Sequence, residues 1–187
     1  MATSLPPTPS QTVGPFYGYA LPFRGGGDIA PAGHPGTITV HGHVRDGNGA
    51  PMPDAVIETW QAAPDGSLDG RPGTLRRDPV TGGFLGRNGV DFTGFGRVAT
   101  DADGHWAVRT LAPPSSLPYL AVCVFARGLT HHLYTRAYFT DDVREGPLAD
   151  LPADRRATLL AVPEADGLRR FDIRVQGERE TVFLEFR

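Results

Sequence analysis

Thr37-Ile-Thr-Val-His-Gly-His-Val44 alternates side chains between two faces, and no segment of the chain shows a convincing long helical period. Strict alternation is the mark of a strand with one face on a core. The same texture recurs along the sequence. Asp46-Gly-Asn-Gly49 is a turn, and Ala55-Val-Ile-Glu-Thr-Trp-Gln61 reads as the next strand, closed by Pro64-Asp-Gly66. Strands are expected over Gly96–Thr100, His105–Leu111, Tyr119–Ala126, His132–Thr140, Thr158–Val162, Arg169–Val175 and Thr181–Phe186. Residues 64–94 read as a long loop, and 142–157 as room for one short helical turn. Short strands with turn residues between them predict an all-β fold, a single β-sandwich domain over residues 1–187. A loop of the length of 64–94 inside a compact domain is usually functional or covered by a partner.

The first 36 residues carry no such pattern. Thr8-Pro-Ser-Gln-Thr-Val-Gly-Pro-Phe-Tyr17 cannot form a helix, because Pro9 and Pro15 remove amide donors and fix φ. It predicts an extended N-terminal arm ending in Phe16, Tyr17 and Tyr19, the kind of segment that reaches over another surface. Residues 20–36, rich in Gly and Pro, read as a covering loop.

Composition excludes several functions. The net charge of −3 gives no bulk attraction to nucleic acid or anionic lipid. No window approaches 18 apolar residues, and the N-terminus lacks a basic region followed by an apolar run, so neither a membrane span nor a signal peptide is expected. One cysteine, Cys123, rules out a disulfide framework within the chain, and the expected compartment is the cytoplasm. In Val122-Cys-Val-Phe125 it reads as a buried, inert thiol. All 18 basic residues are Arg, which fits a GC-rich, bacterial genome.

Few side chains suggest chemistry on their own. His41 and His43 lie two apart and share a strand face, but two ligands are not a metal site. They read as polar residues on an exposed face. Asp101, Asp103, Asp141 and Asp142 read as turn acids. Trp60 and Trp106 read as packing residues. Arg127 ends the apolar strand Tyr119–Ala126 and precedes Gly128. It is either an ordinary surface arginine or a residue placed to hold a carboxylate with both prongs of its guanidinium.

Several segments, taken together, resemble a known family. They are Thr8–Pro15, the strands around Asp46–Gly49 and Glu58-Thr-Trp-Gln-Ala62, Phe95-Gly-Arg-Val-Ala-Thr-Asp101, Val124-Phe-Ala-Arg-Gly128 through Phe139, Arg170–Gly177 and Glu180–Phe183. In this order they are similar to the intradiol ring-cleaving dioxygenases, and specifically to the α subunits of the protocatechuate 3,4-dioxygenase branch. The resemblance implies a hetero-oligomer with a β subunit. It also implies cleavage of 3,4-dihydroxybenzoate by O₂ to 3-carboxy-cis,cis-muconate, a step of aromatic catabolism in the β-ketoadipate pathway. Family members hold a ferric ion with two Tyr and two His. The positions matching the His pair are Tyr119 and Ala121, so the resemblance implies no metal ligand in this chain and Fe(3+) on the partner β subunit. It gives Gly14, Pro15, Phe16 and Arg127 as substrate-binding, with Phe16 or Tyr17 facing the substrate and Arg127 holding its carboxylate. Two competing readings are a non-enzymatic transthyretin-like binding module, which has no need of the arm, and a self-sufficient dioxygenase, which needs the missing ligands.

Overall fold

A computed structural model of the chain describes residues 8–70, 75–142, 146 and 148–185. After residues 8–14, which form neither helix nor strand, comes a four-residue helix, α1 (Tyr17–Ala20). Among the described residues eleven strands and a second short helix follow. They are β1 (Thr37–Arg45), β2 (Val56–Trp60), β3 (Leu75–Arg77), β4 (Phe84–Arg87), β5 (Phe95–Ala99), β6 (His105–Leu111), β7 (Tyr119–Phe125), β8 (Leu133–Tyr138), α2 (Ala153–Ala157), β9 (Val162–Ala165), β10 (Leu168–Arg170) and β11 (Ile173–Arg174). Among the described residues no helix is long and apolar enough to cross a membrane.

Two sheets share one core. In the first, β1 pairs antiparallel with β6 on one edge and parallel with β10 and β11 on the other, with β9 outermost. The second runs β5-β2-β7-β8, antiparallel throughout. Alternation does the sorting. Val40 and Val44 of β1, Trp106 and Val108 of β6, Ile57 of β2, and Leu120, Val122 and Val124 of β7 all enter one buried cluster. Their neighbours His41, His43, Glu58, Tyr119, Ala121 and Cys123 face outward.

The covering loop straps the two sheets together. The Arg97 amide of β5 donates to the Gly26 carbonyl (2.8 Å), and the Arg109 amide of β6 donates to the Gly27 carbonyl (2.7 Å). This close approach is why residue 26 carries no side chain: an added Cβ would collide with the Arg97 carbonyl oxygen. Ile29 then drops fully buried into the core.

Six strand expectations, those over Thr37–Val44, Ala55–Gln61, Gly96–Thr100, His105–Leu111, Tyr119–Ala126 and His132–Thr140, match within a residue or two. Others need correction. Residues 64–94 are not all loop, since β3 and β4 form an antiparallel hairpin there. Thr158–Val162 is not a strand: Thr158 caps α2, and Leu159 fills a small second cluster with Tyr138 and Leu148. Its apolar run fills a plug rather than a ladder. Arg169–Val175 is split between β10 and β11. Residues 181–185 make only an isolated bridge, Leu184 to Tyr134, and Phe186 lies outside the described residues. Trp106 is core, at 1% exposure, but Trp60 is half-buried on the outer face of β2 against Phe95. The position of Trp60 follows from parity, because it shares a face with Glu58.

Gly26→Ala should cost about 1–3 kcal/mol as an overpacking change, read as a lower urea midpoint at unchanged slope. Gly18→Ala, where an added Cβ meets nothing within 4 Å, should shift stability by no more than about 0.5 kcal/mol.

Candidate functional site

Three elements meet at one end of the second sheet. β2 pairs Val56 with Ala99 of β5 on one side and with Phe125 of β7 on the other. Continued two residues past the strand ends, the antiparallel register sets Asp54 opposite Arg127. Their side chains meet there, with Arg127 Nε donating to Asp54 Oδ2 at 2.5 Å. The arm lands on the same spot. The Tyr17 ring, 5% exposed, is the buried residue of α1, and its hydroxyl donates to the Asp54 backbone carbonyl. Between arm and sheet lies an open cavity of about 350 Å³, lined by Pro15, Tyr17, Asp54, Thr100 and Arg127 among others.

The chemistry of this cavity is that of a cation held by one edge. Arg127 is bonded through Nε alone. Among the described residues its Nη1 and Nη2 atoms, the other donor edge, have no hydrogen-bond partner. That edge can take a carboxylate with two parallel bonds. The Arg127 side chain is 74% exposed, so its pairing with Asp54 is screened by water and contributes little to stability here. Burial pushes the Tyr17 phenol above its usual range, and the Asp54 charge adds to this. The Arg127 backbone amide and guanidinium oppose the shift. Tyr17 therefore stays a neutral donor at neutral pH.

The expected site residues separate. Pro15 and Arg127 line the cavity together. Gly14 sits half-buried just before it, at a φ of +76° that only glycine adopts without strain. Phe16 points away, 74% exposed, and Tyr17 takes the inward position. Asp54 was not singled out from the sequence. Pairing Ala55–Gln61 with Tyr119–Ala126 in the right register would have found it.

A different cavity, about 290 Å³, lies on the outer face of the same sheet and is lined by Trp60, Phe95, Tyr119, Ala121, Cys123 and neighbours. Tyr119 and Ala121, the positions matching the family's His pair, face it. Tyr119 packs against Tyr138 and under the Arg136 guanidinium, 4.3 Å above its ring, and Ala121 has no donor atom. Cys123 is half-buried. Burial, with help from the Glu58 charge, pushes its thiol up to about 12, so it is no ready thiolate ligand. Neither matched position offers the imidazole of the family's His pair. His41 and His43 gain a third neighbour, His105 from β6, with His41 Nδ1 and His105 Nε2 3.2 Å apart. Even so, no group of three His, Cys, Asp or Glu side chains poised to hold a metal occurs among the described residues.

No protein-family model matches the chain. Individual relatives do. A protocatechuate 3,4-dioxygenase alpha chain from Burkholderia cepacia is 38% identical, over 98% of this chain and 99% of the relative. One from Pseudomonas putida is 35% identical, over 97% and 98%. The solved dioxygenase domain of a dioxygenase and carbohydrate-binding protein fusion from Streptomyces sp. SirexAA-E superposes with a TM-score of 0.52 at 24% identity, over 92% of this chain and 99% of that one. That last likeness speaks to the fold alone.

Tyr17→Phe should loosen the arm and leave the sheets intact. Losing the hydroxyl forfeits one hydrogen bond, roughly 0.5–1.5 kcal/mol, and amide exchange at Tyr19–Leu21 should quicken while exchange in β2 and β7 does not. The contribution of the phenol is present below the ordinary tyrosine pKa of about 10 and is lost as pH rises through the raised folded value. An absorbance titration should therefore show one tyrosine ionising late, and Tyr17→Phe should abolish that late step.

Proposed function

Because the chain belongs to the intradiol ring-cleaving dioxygenases, in the family of protocatechuate 3,4-dioxygenase alpha chains, we propose that it is the substrate-recognising subunit of such an enzyme. It would work in the cytoplasm as one β-sandwich domain paired with a β subunit. The observation that carries this is the guanidinium of Arg127, held by Asp54 through Nε at the wall of a cavity that Pro15 and Tyr17 of the arm also line. Protocatechuate carries a carboxylate across the ring from one of its hydroxyls. A pocket that excludes water needs a cation for that group, since an unpaired buried charge is costly. Arg127 supplies it, Pro15 and Tyr17 supply wall, and Gly14 lets the arm turn onto the sheet. Phe16, facing outward, is available to the partner.

The reaction inserts both atoms of O₂ between the two hydroxylated carbons and opens the ring. Dioxygenases of this family depend on non-haem iron. The ferric ion sits on the β subunit in this reading, and when bound there it supplies the chemistry that makes a catecholate reactive towards O₂. This chain contributes position. It fixes the carboxylate end of the substrate and so the direction its hydroxyls face.

The surface supports a large partner. Of ten exposed large apolar side chains among the described residues, all but Tyr134 and Val162 lie in the arm or in the 64–94 segment. Apolar side chains concentrated this way mark a protein–protein face. The full-length match to dioxygenase chains favours an enzyme subunit over a free-standing binding module.

In the complex with the β subunit, Arg127→Ala should lower kcat/KM for protocatechuate by roughly ten- to a hundredfold, the loss of a charge-assisted contact of about 1.5–3 kcal/mol. Catechol, which lacks the anion, should change little. Equal losses on both substrates would mean that Arg127 holds the structure together and does not bind the carboxylate. Metal analysis is an independent check. The chain alone should carry no stoichiometric iron and show no visible tyrosinate-to-iron band, while the complex shows both.

A further inference from the structure

We infer that Asp54 is a positioning residue for the substrate's carboxylate, acting through Arg127. The inference rests on the reading of Arg127 given above. A guanidinium has two usable edges in one plane, and a ligand held on one edge fixes where the other points. Asp54 Oδ2 takes Nε at 2.5 Å. Because a side chain as long as arginine has many rotamers, this bond narrows them at the cavity wall that Arg127 lines, with Nη1 and Nη2 left without a hydrogen-bond partner among the described residues. The same residue anchors the arm, by its backbone carbonyl, to the Tyr17 hydroxyl. Cation and pocket wall, from sequence positions more than a hundred residues apart, are thus referred to one point at the start of β2. The Asp54 side chain is only 31% exposed even without a partner. Its backbone leads directly into the fully buried Ala55 and Val56, so the reference point is rigid.

A competing role gives the opposite sign. If Asp54 only occupied the guanidinium, its negative charge would repel the incoming carboxylate, and removing it would tighten binding. Asp54→Asn separates the two, because it keeps shape and backbone and deletes the charge. In the complex with the β subunit, Asp54→Asn should raise KM for protocatechuate and lower kcat/KM by on the order of tenfold, as misplacement of a binding group does. kcat and KM for catechol should stay put. Added to Arg127→Ala, it should cause no further loss on protocatechuate, since the residues act as one unit. Asp54→Glu, which keeps the charge but moves it by one methylene, should give the same selective rise in KM. It serves as the second variant if the Asn form does not assemble.

If Arg127→Ala is selective for protocatechuate but Asp54→Asn leaves protocatechuate unchanged or improves it, Asp54 is not the positioning residue, although the recognition role of Arg127 stands. Additive losses on both substrates would show a purely structural role and equally overturn the inference. If Arg127→Ala itself is not selective, both readings fall together.

Discussion

The pairing of β2 with β7 sets Val56 opposite Phe125, and the site depends on that register. Two residues beyond, it brings Asp54 to Arg127, and Tyr17 anchors the arm at the same Asp54. A slip of one residue would turn Ile57 and Val124 out of the core and Glu58 and Cys123 into it. The core therefore enforces the site. Burial of the apolar faces of β2 and β7 fixes a polar pair just beyond their ends, where water can still reach it.

That exposure shapes the energetics. With its side chain three-quarters exposed, Arg127 forms with Asp54 a surface pair of little worth to folding. A partner that covers the cavity changes this. In the proposed complex the same charges would lose their water, the Nη edge would need an anion, and the substrate's carboxylate would be the fitting one. The Arg127–Asp54 pair is assembled in this chain, but its electrostatic strength would come with closure by the proposed β subunit. Burial of Phe16, Tyr19 and the apolar side chains around β3 and β4 would supply the drive to close.

Most of the sandwich was legible in the sequence because its central strands are half-buried. β1, β2, β5, β6 and β7 each alternate, and turn residues bound them. The C-terminal third was harder. Its apolar runs, such as Leu159 and Leu160, fill a plug beside α2 and carry no alternation to distinguish plug from ladder. β3 and β4 were missed since the hairpin packs little against the core: Phe84 and Leu85 are exposed and leave no periodic signature. At the site, Arg127 and Pro15 were legible as residue types. Asp54 was not, because its meaning comes from a partner 73 residues away in sequence. Whether Phe16 or Tyr17 faces inward was open as well. It is decided by the single turn of α1, which buries Tyr17 and leaves Phe16 at its N-cap.

The most direct test is a structure of the chain bound to its β subunit with protocatechuate held anaerobically in the site. The substrate's carboxylate should lie on Nη1 and Nη2 of Arg127, at about 2.7–2.9 Å, with Nε still on Asp54 and iron ligated only by the partner. A carboxylate bound by other residues, with Arg127 left in solvent or turned into the subunit contact, would contradict this.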